Sequence, residues 1–170
     1  MALTLLIGGT RSGKSDAALT MAAKWSGPVR FVATAEARDD EMAERIARHR
    51  AARPAEWTTI ETADVVHALA DDGAFVIVDC VTLLVSRLME RELSDADVIS
   101  AVEELATAAA GRAAPTVVVS NEVGSGIVPD NALARRFRDL IGAVNRRLAE
   151  AADRTLLVVA GRALPLQEIQ

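Results

Sequence analysis

The stretch Leu3-Thr4-Leu5-Leu6-Ile7-Gly8-Gly9-Thr10-Arg11-Ser12-Gly13-Lys14-Ser15 passes from an apolar run into a glycine-rich turn that closes on a lysine and a hydroxyl. Gly8–Ser15 matches G-x-x-x-x-G-K-[ST] at every fixed position. Leu3–Ile7 reads as a buried strand leading in, and Ser15–Trp25 as a helix leading out. Glycines let such a loop turn sharply and present N–H groups to phosphate oxygens, and the helix start adds its partial positive charge. In this arrangement Lys14 bridges the β- and γ-phosphates of a nucleotide as a point charge, and the Ser15 hydroxyl is a ligand for Mg²⁺. Only Lys14 and Lys24 among the 19 basic residues are lysines. A chain that otherwise uses arginine keeps lysine where the loop needs it.

Outward from the loop, further apolar runs read as buried strands: Val29–Ala33, Phe75–Asp79, Thr116–Ser120 and Thr155–Ala160, with Trp57–Glu61 a weaker case. Helical patterns separate them over Asp39–Ala52, Ala63–Ala70, Thr82–Arg91, Ala96–Gly111 and Asn131–Ala152. Ser94, followed three residues later by Asp97, forms a variant capping box for the fifth helix. Alternating strands and helices predict an α/β fold of the P-loop NTPase type, a mostly parallel sheet with helices on both faces. With no repeat, low-complexity tract or linker, residues 1–170 read as one domain.

Asp79 ends the run Phe75-Val76-Ile77-Val78-Asp79, at the sheet edge where ligands collect, and is the expected second residue holding Mg²⁺. N-K-x-D, the guanine-reading signature of regulatory GTPases, does not occur in the chain. The Asp39–Ala52 helix, closed by Pro54, has acids at its start and bases at its end, as the helix dipole favours. Glu41–Arg45 and Glu44–Arg48 have the spacing of intrahelical ion pairs, whereas Arg50 and Arg53 have no acid three or four residues behind them. Two such arginines beside His49 suggest an anion site with a base or nucleophile. The alternative is that His49, in line with Met42 and Ile46, packs against the core. His67 reads as a solvated helix residue.

The net charge of −5 and the lack of a basic aromatic stripe argue against a nucleic-acid-coating protein or a DNA-handling ATPase. Cys80 is the only cysteine, which suits a reducing compartment. Met1–Ile7 is too short for a signal h-region, and Phe75–Val85, interrupted by Asp79, is too short to span a bilayer, so a cytoplasmic location without membrane insertion is expected.

Several motifs together resemble one family. They are the 8–15 loop, Val-Ala-Thr-Ala at 32–35, Asp-Asp-Glu-Met at 39–42, Arg45-Ile46 with His49-Arg50 and Arg53-Pro54, and Trp57-Thr58-Thr59-Ile60-Glu61. Asp79-Cys80-Val81-Thr82, the block from Ser120 to Pro129, Arg136-Phe137-Arg138-Asp139 and Gly142 complete them. Nearly end to end, the chain is similar to the bifunctional adenosylcobinamide kinase / adenosylcobinamide-phosphate guanylyltransferases of cobalamin biosynthesis. The resemblance implies that ATP or GTP phosphorylates adenosylcobinamide, and that GTP then transfers GMP to adenosylcobinamide-phosphate through a guanylylated histidine at His49.

The same resemblance implies nucleotide contacts from Gly8, Gly9, Thr10, Arg11, Ser12, Gly13, Lys14 and Ser15, from Ala33, Thr34 and Ala35, from Arg50, Ala51, Ala52 and Arg53, and from Glu61. Glu61 is a candidate acceptor for the guanine N–H donors. A homotrimer is also implied. Two places depart from the family pattern: Arg87 follows Ser86 where asparagine is common, and Ala160–Pro165 keeps Ala-Gly without the usual proline-rich finish. Two other readings predict different chemistry. A P-loop kinase of another small alcohol, with His49 structural, forms no nucleotidylated protein, and a nucleotide-gated binding module shows no dependence on an acceptor.

Overall fold

The computed structural model describes residues 2–36, 40–70 and 72–168. Seven strands form one sheet in the order β3-β2-β4-β5-β1-β6-β7. They are β1 (Leu3–Gly8), β2 (Val29–Ala33), β3 (Thr58–Glu61), β4 (Phe75–Asp79), β5 (Thr116–Asn121), β6 (Arg154–Val159) and β7 (Arg162–Leu166). All neighbouring pairs are parallel except β6 with β7. The near-continuous apolar runs of β1, β4 and β5 follow from this, because a central parallel strand is covered on both faces.

Side chains alternate between two cores. Leu3, Leu5, Val76, Val78 and Val118 face a large cluster with helices α3 (Val65–Ala68), α4 (Val81–Glu90), α5 (Asp95–Ala110) and α6 (Ala132–Ala151). Leu6, Phe31, Ile77, Val117, Val119 and Val158 face a smaller one with Ala18 and Ala22 of α1 (Lys14–Ala22). Helix starts are set by local chemistry. The Ser94–Asp97 capping box forms at α5, and the Asn131 side chain accepts from the Ala134 amide at 2.7 Å at α6.

The strands and helices anticipated from the sequence are present with ends shifted by a few residues, as terminal turns fray. Helix α2 spans Asp40–Ala51, and its expected start at Asp39 and the Glu41–Arg45 pairing lie outside the described residues and side chains. The larger correction is at the carboxyl end, where the strand expected to run through Ala160 stops at Val159 and a further strand, β7, returns antiparallel. Ala160 (φ 49°) and Gly161 (φ 71°) make a two-residue turn of the type that matches the twist of a hairpin. Pro165 conceals this strand in the sequence, and is tolerated because β7 is at the sheet edge.

Candidate active site

The carboxyl ends of β1, β2 and β4 converge on a cleft of about 440 Å³, within the size range of nucleotide and ligand pockets. The loop between β1 and α1 forms its floor. Gly8 must be glycine because a Cβ there would lie 2.2 Å from the Val158 carbonyl oxygen. Gly13, at φ 97°, adopts a backbone that side chains disfavour, directly before the first turn of α1. As the N-cap residue it offers no side chain to the first-turn amides, which suits an anion there. The loop is held from the other side by the β6–β7 turn, where the Gly161 amide donates to the Ser12 carbonyl at 2.8 Å.

Lys14 is 6% exposed, and its Nζ donates to the carbonyl oxygens of Gly8 at 2.9 Å and Gly9 at 2.7 Å. The ammonium is thereby held over the loop rather than ranging through solvent. The Ser15 hydroxyl donates to Asp79 Oδ2 at 2.9 Å, which brings together the two oxygen ligands anticipated from the sequence. The Asp79–Cys80 peptide is cis.

Behind this floor lies a polar network. Thr34, fully buried, donates through Oγ1 to the Cys80 carbonyl at 2.7 Å and accepts from the Cys80 amide at 3.0 Å. Thr82 Oγ1 accepts from Asn121 Nδ2 at 3.0 Å, and Asn145 donates to the Asn121 carbonyl at 2.9 Å. These bonds fix the ends of β2, β4 and β5 relative to one another.

The opposite wall is α2. Met42, Ile46 and His49, the stripe that spacing also allowed to be core-facing, line the cleft half-buried. Arg48 and Arg53 line it as well. The Arg53 guanidinium lies 3.4 Å from the Phe31 ring centroid and donates to Thr59 Oγ1 at 3.3 Å. Its Nε is buried with no hydrogen-bond partner among the described residues. Burial lowers the Arg53 pKa from its ordinary value, and the nearby Asp79 carboxylate opposes that shift.

Thr10, Arg11, Ser12, Gly13, Lys14, Ser15, Ala33, Ala35, His49, Arg53 and Asp79 therefore meet at one cleft. Arg50 and Glu61 are not among its lining residues; they face each other 3.7 Å apart and mostly exposed. Thr34 acts through the network beneath the cleft. The sequence reading missed Phe31, Arg48, Leu83 and Val119 as lining residues. Phe31, one of only three phenylalanines and near a strand end at this edge, carried a usable signal.

A glycine-rich loop between strand and helix, a buried lysine and a serine–aspartate pair define a P-loop nucleotide-binding protein. Solved structures agree at the level of the fold. A prototypical type III secretion ATPase of pathogenic bacteria superposes with a TM-score of 0.60 at 13% identity, over 92% of this chain and 50% of that one. The ATPase EscN of enteropathogenic Escherichia coli gives 0.59 at 12%, over 94% and 43%. The chain spans half or less of those ATPases.

Sequence relationship is narrower. The family model for cobinamide kinase / cobinamide phosphate guanyltransferase matches residues 4–166. The bifunctional adenosylcobalamin biosynthesis protein CobU of Salmonella typhimurium is 40% identical over 94% of this chain and 96% of its own. CobU of Escherichia coli K12 is 38% identical with the same coverage, and CobP of Pseudomonas aeruginosa 38% over 96% of each. The chain belongs to the cobinamide kinase / cobinamide phosphate guanyltransferase family of transferases.

Proposed function

We propose that this chain carries out both family reactions in the one cleft, and that in the second His49 carries GMP from GTP to the phosphorylated acceptor. In the first, the aminopropanol hydroxyl of adenosylcobinamide attacks the γ-phosphorus of ATP or GTP. Its proton is lost, a P–O bond forms to the acceptor, and a nucleoside diphosphate leaves. In the second, an imidazole nitrogen of His49 attacks the α-phosphorus of GTP, forming a P–N bond and displacing pyrophosphate. A phosphate oxygen of adenosylcobinamide-phosphate then displaces the imidazole, giving adenosylcobinamide-GDP and restoring His49. Dividing the transfer replaces one hard step with two easier ones.

The observation that carries this reading is the placement of His49 on the wall of the cleft whose floor holds Lys14, Ser15 and Asp79. Charge developing on phosphate oxygens is met by Lys14, by the open amides of α1 and by Arg53. The Ser15–Asp79 contact supplies the hard oxygen donors suited to Mg²⁺, with phosphate oxygens and water as further ligands. The ion supplies neutralisation of phosphate charge. Glu61, which faces Arg50, is the acceptor we assign to the guanine N–H donors. A homotrimer follows the family resemblance, and the exposed Val159, Leu164 and Leu166 of the β6–β7 edge support association there.

The test is incubation with Mg²⁺ and GTP labelled on the α-phosphate, beside a His49→Ala variant. Label retained by the wild type through alkali, released by mild acid and missing from the variant is the expected result. Absence of label despite intact GTP binding makes the chain a plain kinase with a structural histidine.

A further inference from the structure

Helix α2 stands off the body of the protein. None of its described side chains is fully buried, and among the described residues no other helix or strand packs extensively against it. Between α2 and α4 lies a second, smaller cavity of about 170 Å³, lined by Met42 from α2, by Leu83, Ser86 and Arg87 from α4, and by Thr34–Glu36.

Arginines brace the described chain on either side of α2. On the carboxyl side Arg53 lies over Phe31 and bonds Thr59. On the amino side Arg87, projecting from α4, donates through Nη1 to the Thr34 carbonyl at 3.2 Å and pairs through Nη2 with Glu36. The Arg87 side chain is only 21% exposed, so this pair is less screened than a surface one. Thr34 is itself bolted to Cys80 and to the carbonyl of Asp79, the residue whose carboxylate accepts from the loop's Ser15. Arg87 thus ties Thr34 and Glu36, which precede α2 in the chain, to the strand end that carries Asp79.

We infer that Arg87 is a positioning residue for His49: its bonds to Thr34 and Glu36 set where α2 begins, and so where the imidazole stands relative to the loop-bound triphosphate. The inference rests on the proposed role of His49, but its mechanical part does not. In-line attack tolerates little displacement, since a misplacement of about 1 Å costs on the order of 10²-fold in rate. Nucleotide binding depends mainly on the loop, which Arg87 does not touch.

The test uses Arg87→Met, which keeps an apolar stem, with Arg87→Lys, Glu36→Gln and the double variant Arg87→Met/Glu36→Gln. Two readouts are taken: single-turnover labelling of His49 at saturating GTP without acceptor, and hydrogen exchange of the α2 amides. Arg87→Met and Glu36→Gln should each slow labelling at least about tenfold while the GTP Kd moves less than about threefold, a split between chemistry and binding. The double variant should be little worse than either single, because both remove one interaction. Arg87→Lys should recover part of the rate.

Amides of α2 should exchange faster in Arg87→Met while those of β4 and β5 are unchanged. Labelling at the wild-type rate, or equal loss of binding and labelling, overturns the assignment. If wild-type protein takes no label, the proposed role of His49 fails. The exchange readout then still decides whether Arg87 holds α2, and unchanged exchange refutes it.

Discussion

Replacing Gly8 by alanine puts the packing of the phosphate loop to a quantitative test. The new methyl carbon would stand 2.2 Å from the Val158 carbonyl oxygen and 3.0 Å from Ser12 Oγ. To reach 3.0 Å from the carbonyl, β1 and β6 must separate locally by roughly 0.8 Å in an interior packed at crystal density. Neither side yields cheaply, because β1 and β6 are paired through Ile7 and Leu157 immediately before the clash. The cost should be about 3 kcal/mol, at the upper end of overpacking penalties. For a chain of this size that lowers the melting temperature by about 6–12 °C.

Gly9→Ala is the matched control, since its added carbon meets nothing within 4 Å, and its stability should stay within about 0.5 kcal/mol of wild type. Urea titrations of both variants provide the measurement. Equal midpoints for Gly8→Ala and wild type would refute the claim that close strand approach, rather than loop flexibility alone, requires glycine at this position.

Other expectations concern the cleft and the surface. Asp79→Asn, keeping shape but losing charge, should slow Mg²⁺-dependent acceptor phosphorylation about 10²-fold or more, and near wild-type turnover would remove Asp79 from the site. Arg53→Met should raise the GTP Kd at least about tenfold, the equivalent of one charged hydrogen bond, by equilibrium binding. The hydrogen bond from Ser125 holds the Glu122 carboxyl below its usual range, against the opposing effect of burial and with help from the Gly124 and Ser125 amides. Its stabilisation is therefore complete above the unfolded value of about 4.3 and disappears as pH falls through the lower folded value. The stability deficit of Glu122→Gln should accordingly shrink on acidification, and a deficit independent of pH would contradict it. Leu164→Glu, on the exposed edge strand, should lower the sedimentation-equilibrium mass toward that of a monomer, and an unchanged mass would refute the proposed association through this edge.

What the sequence made legible was chemistry contiguous along the chain. The loop from Gly8 to Ser15 declares itself because its function resides in consecutive backbone groups, and Asp79 because a buried run ends on an acid. His49 was visible as a candidate, but spacing left two readings open, since Met42, Ile46 and His49 describe a face without saying what it meets. Pairing across the fold was hidden. Arg53 looked like a residue lacking an acid, yet its partner is a ring on β2. Arg87 and Thr34 are 53 positions apart, and β7 was concealed by Pro165 and by a turn without asparagine.

The two walls of the cleft differ in a way that bears on having two reactions in one place. The loop side is continuous with the sheet: Gly8 abuts β6, Ser12 is held by Gly161, and Lys14 is buried against loop carbonyls. A triphosphate seated there has its γ-phosphate fixed by backbone groups that have little freedom to move. The α2 side holds Met42, Ile46 and His49 at half-burial, with Arg53, just past the helix, stacked over Phe31. Transfer of the terminal phosphoryl group needs the fixed wall and an acceptor. Attack on the α-phosphorus needs the same fixed triphosphate and a nucleophile delivered from the other side. In the proposed mechanism both reactions thus share one set of phosphate contacts, and what the opposite wall presents decides which occurs.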